Sequence, residues 1–122
     1  MTDQQVTVLY SWTAKPGKLD DLVNIYKQVS QAMEQNEPGA MEVQCYVSEA
    51  DSTLYVRDEF QDAGAVGFHL GTTAANHFGS LLEIATPGRF HFLGNVTDEI
   101  KAGTQQMGLD AVFSAREFGY SR

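Results

Sequence analysis

Asp58-Glu59-Phe60-Gln61-Asp62-Ala63-Gly64-Ala65-Val66-Gly67-Phe68-His69-Leu70 is the stretch on which the fold turns. It reads as the end of a strand, a tight cap and a short helix that carries a histidine. Just upstream, Leu54, Val56, Asp58 and Phe60 alternate with Tyr55, Arg57 and Glu59, the period-two pattern of a strand. Asp62 suits a helix N-cap, where a carboxylate accepts from a free first-turn amide. Three glycines, Gly64, Gly67 and Gly71, interrupt the helix. Each costs about 1 kcal/mol against alanine in a helix. Gly64 and Gly67 are therefore expected to admit a close backbone or substrate, or to leave this helix mobile as a lid.

Upstream, Met41, Val43, Cys45 and Val47 alternate with Glu42, Gln44, Tyr46 and Ser48. The polar turn at Asp51-Ser52 joins this strand to the one at Leu54 in a hairpin. The N-terminal strand has Val6, Val8, Tyr10 and Trp12 on one face and stops at Lys15-Pro16-Gly17. Leu19, Leu22, Val23, Tyr26, Val29 and Met33 then recur at helical spacing over about Lys18 to Gln35. Asp20 and Asp21 favour its N-terminal end through the helix dipole. Glu37-Pro38-Gly39 turns the chain into the next strand. Beyond the quoted stretch, the short helix is expected to end near Gly71-Thr72-Thr73, and a second to carry Asn76, His77, Phe78, Leu81 and Leu82. Pro87-Gly88 precedes a fourth strand through Phe90 and Phe92. Asp98 is placed to cap a last helical piece to about Met107, and Ala111 to Phe118 reads as a fifth extended segment.

The order β, α, β, β, α, β predicts an α+β, ferredoxin-like split βαβ fold with an antiparallel sheet and both main helices on one face. The chain reads as one domain over 1–122, with a core of about 6–96 and a C-terminal extension of about 97–122. Several strands are apolar or aromatic on both faces, yet one helix layer covers only one. A bare apolar face of that size is unusual on a monomer, so two sheets are expected to pack face to face in a homodimer.

Composition excludes several roles. The formal charge is -8 and the eight Lys and Arg are scattered, which disfavours nucleic acid as a partner. No window approaches the ~18 apolar residues of a membrane span. The first residues lack the basic and apolar regions of a secretory signal, so a cytoplasmic location is expected. The single cysteine, Cys45, reads as a small apolar core residue in a reducing compartment. There is no HExxH and no cysteine pair, and His69 and His77 stand on either side of the expected helix break, so no metal site is expected. The glycines lack the spacing and the strand-to-helix turn of a dinucleotide fingerprint. No cofactor is therefore called for.

The element order, the Lys15–Gly17 and Glu37–Gly39 turns and the segment from Glu59 to His69 together resemble the antibiotic biosynthesis monooxygenase domain family, and within it the quinol-monooxygenase-like group. The likeness spans about Val6 to Val96. It implies a dimeric α/β barrel with a pocket between sheet and helices, and oxygenation of a small phenol or quinol by molecular oxygen without metal or flavin. His69 matches the histidine usual at this place and would be the base, and Glu59 matches the acidic strand-end residue and would be its partner. Tyr10 and Trp12 share a strand face, and Tyr46 and Tyr55 can meet across the hairpin. Together they would wall a planar aromatic substrate. Arg57 and Arg89 could hold a phenolate, and Asn76, His77 and His91 are further substrate-contact candidates. The asparagine, tryptophan and histidine pattern of the haem-degrading branch is missing. The same pocket could instead serve an isomerase acting on a small oxygenated metabolite, or a non-catalytic binding dimer.

Overall fold

The computed structural model describes residues 4–122. Strand β1 (Val6–Ala14) is followed by helix α1 (Leu19–Asn36), strands β2 (Ala40–Ser48) and β3 (Thr53–Phe60), and helix α2 (Ala63–His69). A π-helical turn at Leu70–Ala74 leads directly into α3 (Ala75–Ile84). Strands β4 (Ala85–Pro87) and β5 (Phe90–Gly94), helix α4 (Asp98–Met107) and strand β6 (Ala111–Ser114) complete the chain.

The sheet order is β2-β3-β1-β5-β6, and β4 also pairs with β1. The first four strands of that path are the antiparallel ferredoxin-like core. Strand β6 pairs in parallel with β5 of the same chain, Phe92 opposite Phe113. The sheet is therefore mixed rather than purely antiparallel, because the chain crosses through α4 before it returns to the edge. Strands β4 and β5 lie along β1 as one strand broken at Gly88, whose amide bonds the Ser11 carbonyl at 2.8 Å. A Cβ at Gly88 would stand 2.6 Å from Ser11 Oγ, so a side chain there would make that hydroxyl turn away.

Alternation along β1 puts Val6, Val8, Tyr10, Trp12 and Ala14 on the face that α1, α2 and α3 cover. Leu54, Val56, Asp58 and Phe60 of β3 and Phe90 and Phe92 of β5 join them. From α1 come Leu22, Tyr26, Val29 and Met33, one turn apart down the buried side. Asp62 caps α2 as expected, accepting from the Ala65 amide at 2.9 Å.

Four local expectations change. The helix does not break at Gly71-Thr72-Thr73; a single wide turn carries it from α2 into α3. Gly67 has nothing within 4 Å of a built Cβ, so it admits no close neighbour, and at Gly64 the nearest atom is Oδ1 of its own cap, Asp62, at 3.4 Å. The close approach belongs to Gly39, where a Cβ would meet that of Ala65 at 2.5 Å and force β2 away from α2. Cys45 is exposed rather than in the core, on β2 at the edge of the sheet. The cap of α4 is Thr97, whose Oγ1 accepts from the Ile100 amide at 3.3 Å, while Asp98 becomes the first helical residue.

Candidate functional site

A cavity of about 40 Å³ lies between the inner face of the sheet and the helices. Its apolar lining comes from Val8, Phe60, Val66, Phe78, Leu81 and Phe92. Tyr10, Trp12, Tyr26, Asp58, His69 and His77 bring polar atoms to it. Met107 and Leu109, at the end of α4, close one side. The C-terminal extension is thus part of the pocket wall.

Each polar group has a local origin. His69 follows Val66 by three residues on α2, so both face inward. Its ring packs against Phe60 at 5.4 Å between centroids. His69 Nδ1 lies 3.0 Å from Oε2 of Glu37. Glu37 is the residue that ends α1, and it is only 3% exposed. With Nδ1–H donating to Glu37, Nε2 is left as an acceptor. Burial works to raise the Glu37 carboxyl, but the hydrogen bond to His69, with the charge that ring carries when protonated, outweighs it and holds the group below its ordinary value. Its other oxygen, Oε1, is buried without a partner.

The second group is a chain of hydroxyls that ends on a carboxylate. Tyr26 of α1 donates to the Tyr10 hydroxyl at 3.0 Å, and Tyr10 donates to Asp58 Oδ2 at 2.8 Å. Asp58 is 1% exposed at an inward position of β3, among Leu54, Val56 and Phe60. Burial lifts its carboxyl from the usual 3.8 to about 6, against the opposing pull of His69 and the Tyr10 hydrogen bond. Burial also keeps both phenols firmly protonated, reinforced by the Asp58 charge. Two buried polar atoms of this array have no partner: the acceptor Asp58 Oδ1 and the donor Trp12 Nε1.

The expected site residues divide between two faces. Tyr10, Trp12, His69 and His77 line the cavity, with His77 Nδ1 bonded to the Thr73 carbonyl at 2.8 Å. Asn76 is exposed on α3. Glu59, Tyr46, Tyr55, Arg57 and His91 are on the opposite, open face of the sheet, because they occupy the alternate strand positions. Glu59 therefore does not meet His69. It accepts from Thr7 Oγ1 at 2.7 Å and pairs with Arg57 at 2.9 Å. Arg57 also pairs with Glu42 at 2.9 Å, while exposed Arg89 reaches Asp110 at 3.4 Å.

Sequence reasoning missed Glu37, Tyr26 and Asp58. The strand alternation did contain a signal for Asp58, a carboxylate in register with three core residues. Nothing local marks Glu37, whose partner is on another element. Among the described residues, no group of three or more His, Cys, Asp or Glu is arranged to hold a metal ion. No helix among them is long and apolar enough to cross a membrane.

The fold and its cavity define a ferredoxin-like α+β protein with a site between sheet and helices. The family model for antibiotic biosynthesis monooxygenase matches residues 5–80, and the chain belongs to that family. Among solved structures, MupZ from Pseudomonas fluorescens superposes with a TM-score of 0.83 at 16% identity, covering 98% of this chain and 95% of that one. A candidate antibiotic biosynthesis monooxygenase from Caulobacter crescentus gives 0.65 at 18% identity, covering 77% and 92%. Rv0793 from Mycobacterium tuberculosis gives 0.66 at 16%, covering 77% and 97%. At these identities the likeness is one of fold. The match to MupZ takes in nearly the whole chain, whereas the other two leave about a quarter of it uncovered. No curated protein matches the chain by sequence.

Proposed function

We propose that this chain is a cofactor-independent monooxygenase that oxidises a small phenol- or quinol-type aromatic with molecular oxygen. The observation that carries the reading is the His69–Glu37 pair, set with a free imidazole nitrogen in the wall of an apolar cavity. His69 Nε2 takes the hydroxyl proton of the substrate, and Glu37 holds the ring in the tautomer that can do so. The phenolate passes one electron to oxygen, and the phenoxyl radical and superoxide join at a ring carbon that bears hydrogen. Loss of water from the peroxide leaves a carbonyl, so one oxygen atom enters product and the other leaves as water. Exclusion of bulk water by Phe60, Phe78, Leu81 and Phe92 protects the radical pair. The cavity has room for roughly three or four waters at about 10–15 Å³ each. A substrate therefore has to part the helices from the sheet, and the helical run with its open-facing Gly67 and Gly71 is the element suited to move.

A second reading, proton transfer without oxygen as in an isomerase, draws on the presence of a second protonatable group, Asp58, in the same wall. Oxygen uptake separates the two. Wild type given a panel of quinols and polycyclic phenols is expected to consume oxygen and form quinone in equal amounts. His69→Ala, if folded, is expected to lose about 10²–10⁴-fold of that rate, the range usual for a general base. Turnover of a panel member without oxygen uptake would shift the reading to the isomerase.

We also infer that the open face of the sheet packs on a second copy. Leu9, Tyr46 and Tyr55 are 37%, 56% and 47% exposed there, around a hollow of about 460 Å³ that a monomer leaves to solvent.

A further inference from the structure

We propose that Asp58 and Trp12 are the specificity residues of the cavity, reading a compact apolar ligand that carries two separate oxygen functions, a hydroxyl given to Asp58 Oδ1 and an acceptor oxygen held by Trp12 Nε1. The inference deepens the function proposed above and rests on its placing of the substrate in this cavity.

The argument begins from unmet hydrogen bonds. A buried polar atom left unpaired costs about 1–3 kcal/mol, and native interiors seldom leave one so without reason. Here an unpaired acceptor and an unpaired donor occur in the wall of one cavity. The rest of the array is satisfied. Asp58 Oδ2 accepts from Tyr10, which accepts from Tyr26, so the hydroxyls on that side are already committed. The Tyr10 bond restrains the carboxylate and leaves Oδ1 without a donor of its own.

Trp12 is fixed in the same way. It is 1% exposed on β1, and its ring meets Phe78 edge-on at 5.8 Å. Its Nε1 is buried in the cavity wall without a hydrogen-bond partner. The indole and Asp58 thus line the same cavity. A ligand spanning the two must offer a proton donor at one end and an acceptor at the other. A hydroquinone, a hydroxylated aromatic ketone or a hydroxy ketone meets that pattern. A hydrocarbon or a simple monophenol meets half of it or none.

The test is binding, so it does not depend on turnover. Three probes of nearly equal size serve: 4-hydroxyacetophenone with both functions, 4-fluoroacetophenone with the carbonyl alone, and 4-ethylphenol with the hydroxyl alone. Affinity is read by calorimetry and by quenching of Trp12, the one tryptophan of the chain. Wild type is expected to bind the hydroxy ketone about tenfold more tightly than either partial probe, which is about 1.4 kcal/mol. Asp58→Asn keeps an oxygen for Tyr10 and puts an NH₂ donor where Oδ1 accepts. It should lose the tenfold preference for the hydroxyl and bind 4-fluoroacetophenone no less tightly than wild type does. Trp12→Phe, followed by calorimetry alone, should lose the preference for the carbonyl and keep that for the hydroxyl. Equal affinity for the three probes, no saturable binding of the hydroxy ketone, or an unchanged preference in Asp58→Asn would each overturn the proposal. Selective binding without oxygen uptake would leave it standing and sink the monooxygenase reading instead.

Discussion

The two faces of one sheet treat their charged residues in opposite ways. On the inner face, Asp58 is enclosed by apolar side chains and held by a single phenol, and its acidity moves well away from the ordinary value. On the outer face, Glu59 is the next residue along the same strand, yet it shares Arg57 with Glu42 and stays partly open to water. One residue of register separates a carboxylate suited to chemistry from one that serves a surface network. Function follows the face more than the residue type, because desolvation is what changes proton affinity. The same contrast separates Tyr10, buried in a hydroxyl chain, from Tyr55, which is 47% exposed.

The largest effect that would test this contrast is on packing. Trp12→Ala empties the centre of the inner face and should destabilise the fold by about 3–5 kcal/mol. Tyr55→Ala, on the outer face, should change the stability of the isolated chain by about 0.5 kcal/mol or less. Urea denaturation at a low protein concentration measures both. Similar losses for the two would mean that the outer face is a second core rather than an open surface.

The next effect is electrostatic and has a definite sign. The folded carboxyl of Asp58 binds its proton more tightly than the unfolded one, with its midpoint raised from 3.8 to about 6. Its contribution to stability is therefore full below about pH 4 and falls as the pH rises to about 6. The fall amounts to about 2–3 kcal/mol. Tyr10 and Tyr26 lie on its inner side, and the charges of Glu37 and, from across the sheet, Glu59 add to the upward shift while His69 opposes it. Asp58→Asn should remove this fall, so at pH 8 the variant should be more stable than wild type by about 2 kcal/mol even as ligand selectivity is lost. At pH 4 the two should be close. A variant less stable than wild type at pH 8 would show that the charged carboxylate supports the fold.

Much of this contrast could be read from the chain, and the reason is the period of the strand. Val6, Val8, Tyr10 and Trp12 alternate cleanly, and so do Leu54, Val56, Asp58 and Phe60, so the inner face follows from two-residue spacing alone. The helix over Leu19–Asn36 was legible for the same reason at a longer period. The family resemblance makes Glu59 the partner of His69, but strand alternation turns its side chain to Thr7 and Arg57 on the other face. Glu37 could not be found in this way. It looks like part of a turn, and its role depends on α2 folding back over the end of α1. Glycine and threonine weaken a helix locally, which is why Gly71-Thr72-Thr73 reads as a break, whereas burial of Val66, His69 and Thr73 holds the run together. Strand β4 is three residues long and owes its conformation to β1, so it leaves no periodic trace.

The smallest effect sharpens the outer face. Arg57 bridges Glu42 and Glu59 with its guanidinium about one-third exposed. Exposed pairs of this kind contribute about 0–1 kcal/mol each and weaken with salt. In a lone chain, Arg57→Ala should therefore cost less than about 1 kcal/mol, and less again at high ionic strength. A second copy packed on this face changes the sum. Leu9, Tyr46 and Tyr55 would exclude water from the network, and removal of Arg57 would leave two carboxylates buried without a cation. Breaking a buried pair costs about 3–5 kcal/mol. The penalty measured at high protein concentration should then exceed the dilute value, and sedimentation should show a dimer that the variant weakens. A penalty that stays small and independent of concentration would mean that solvent, not a partner, covers the outer face.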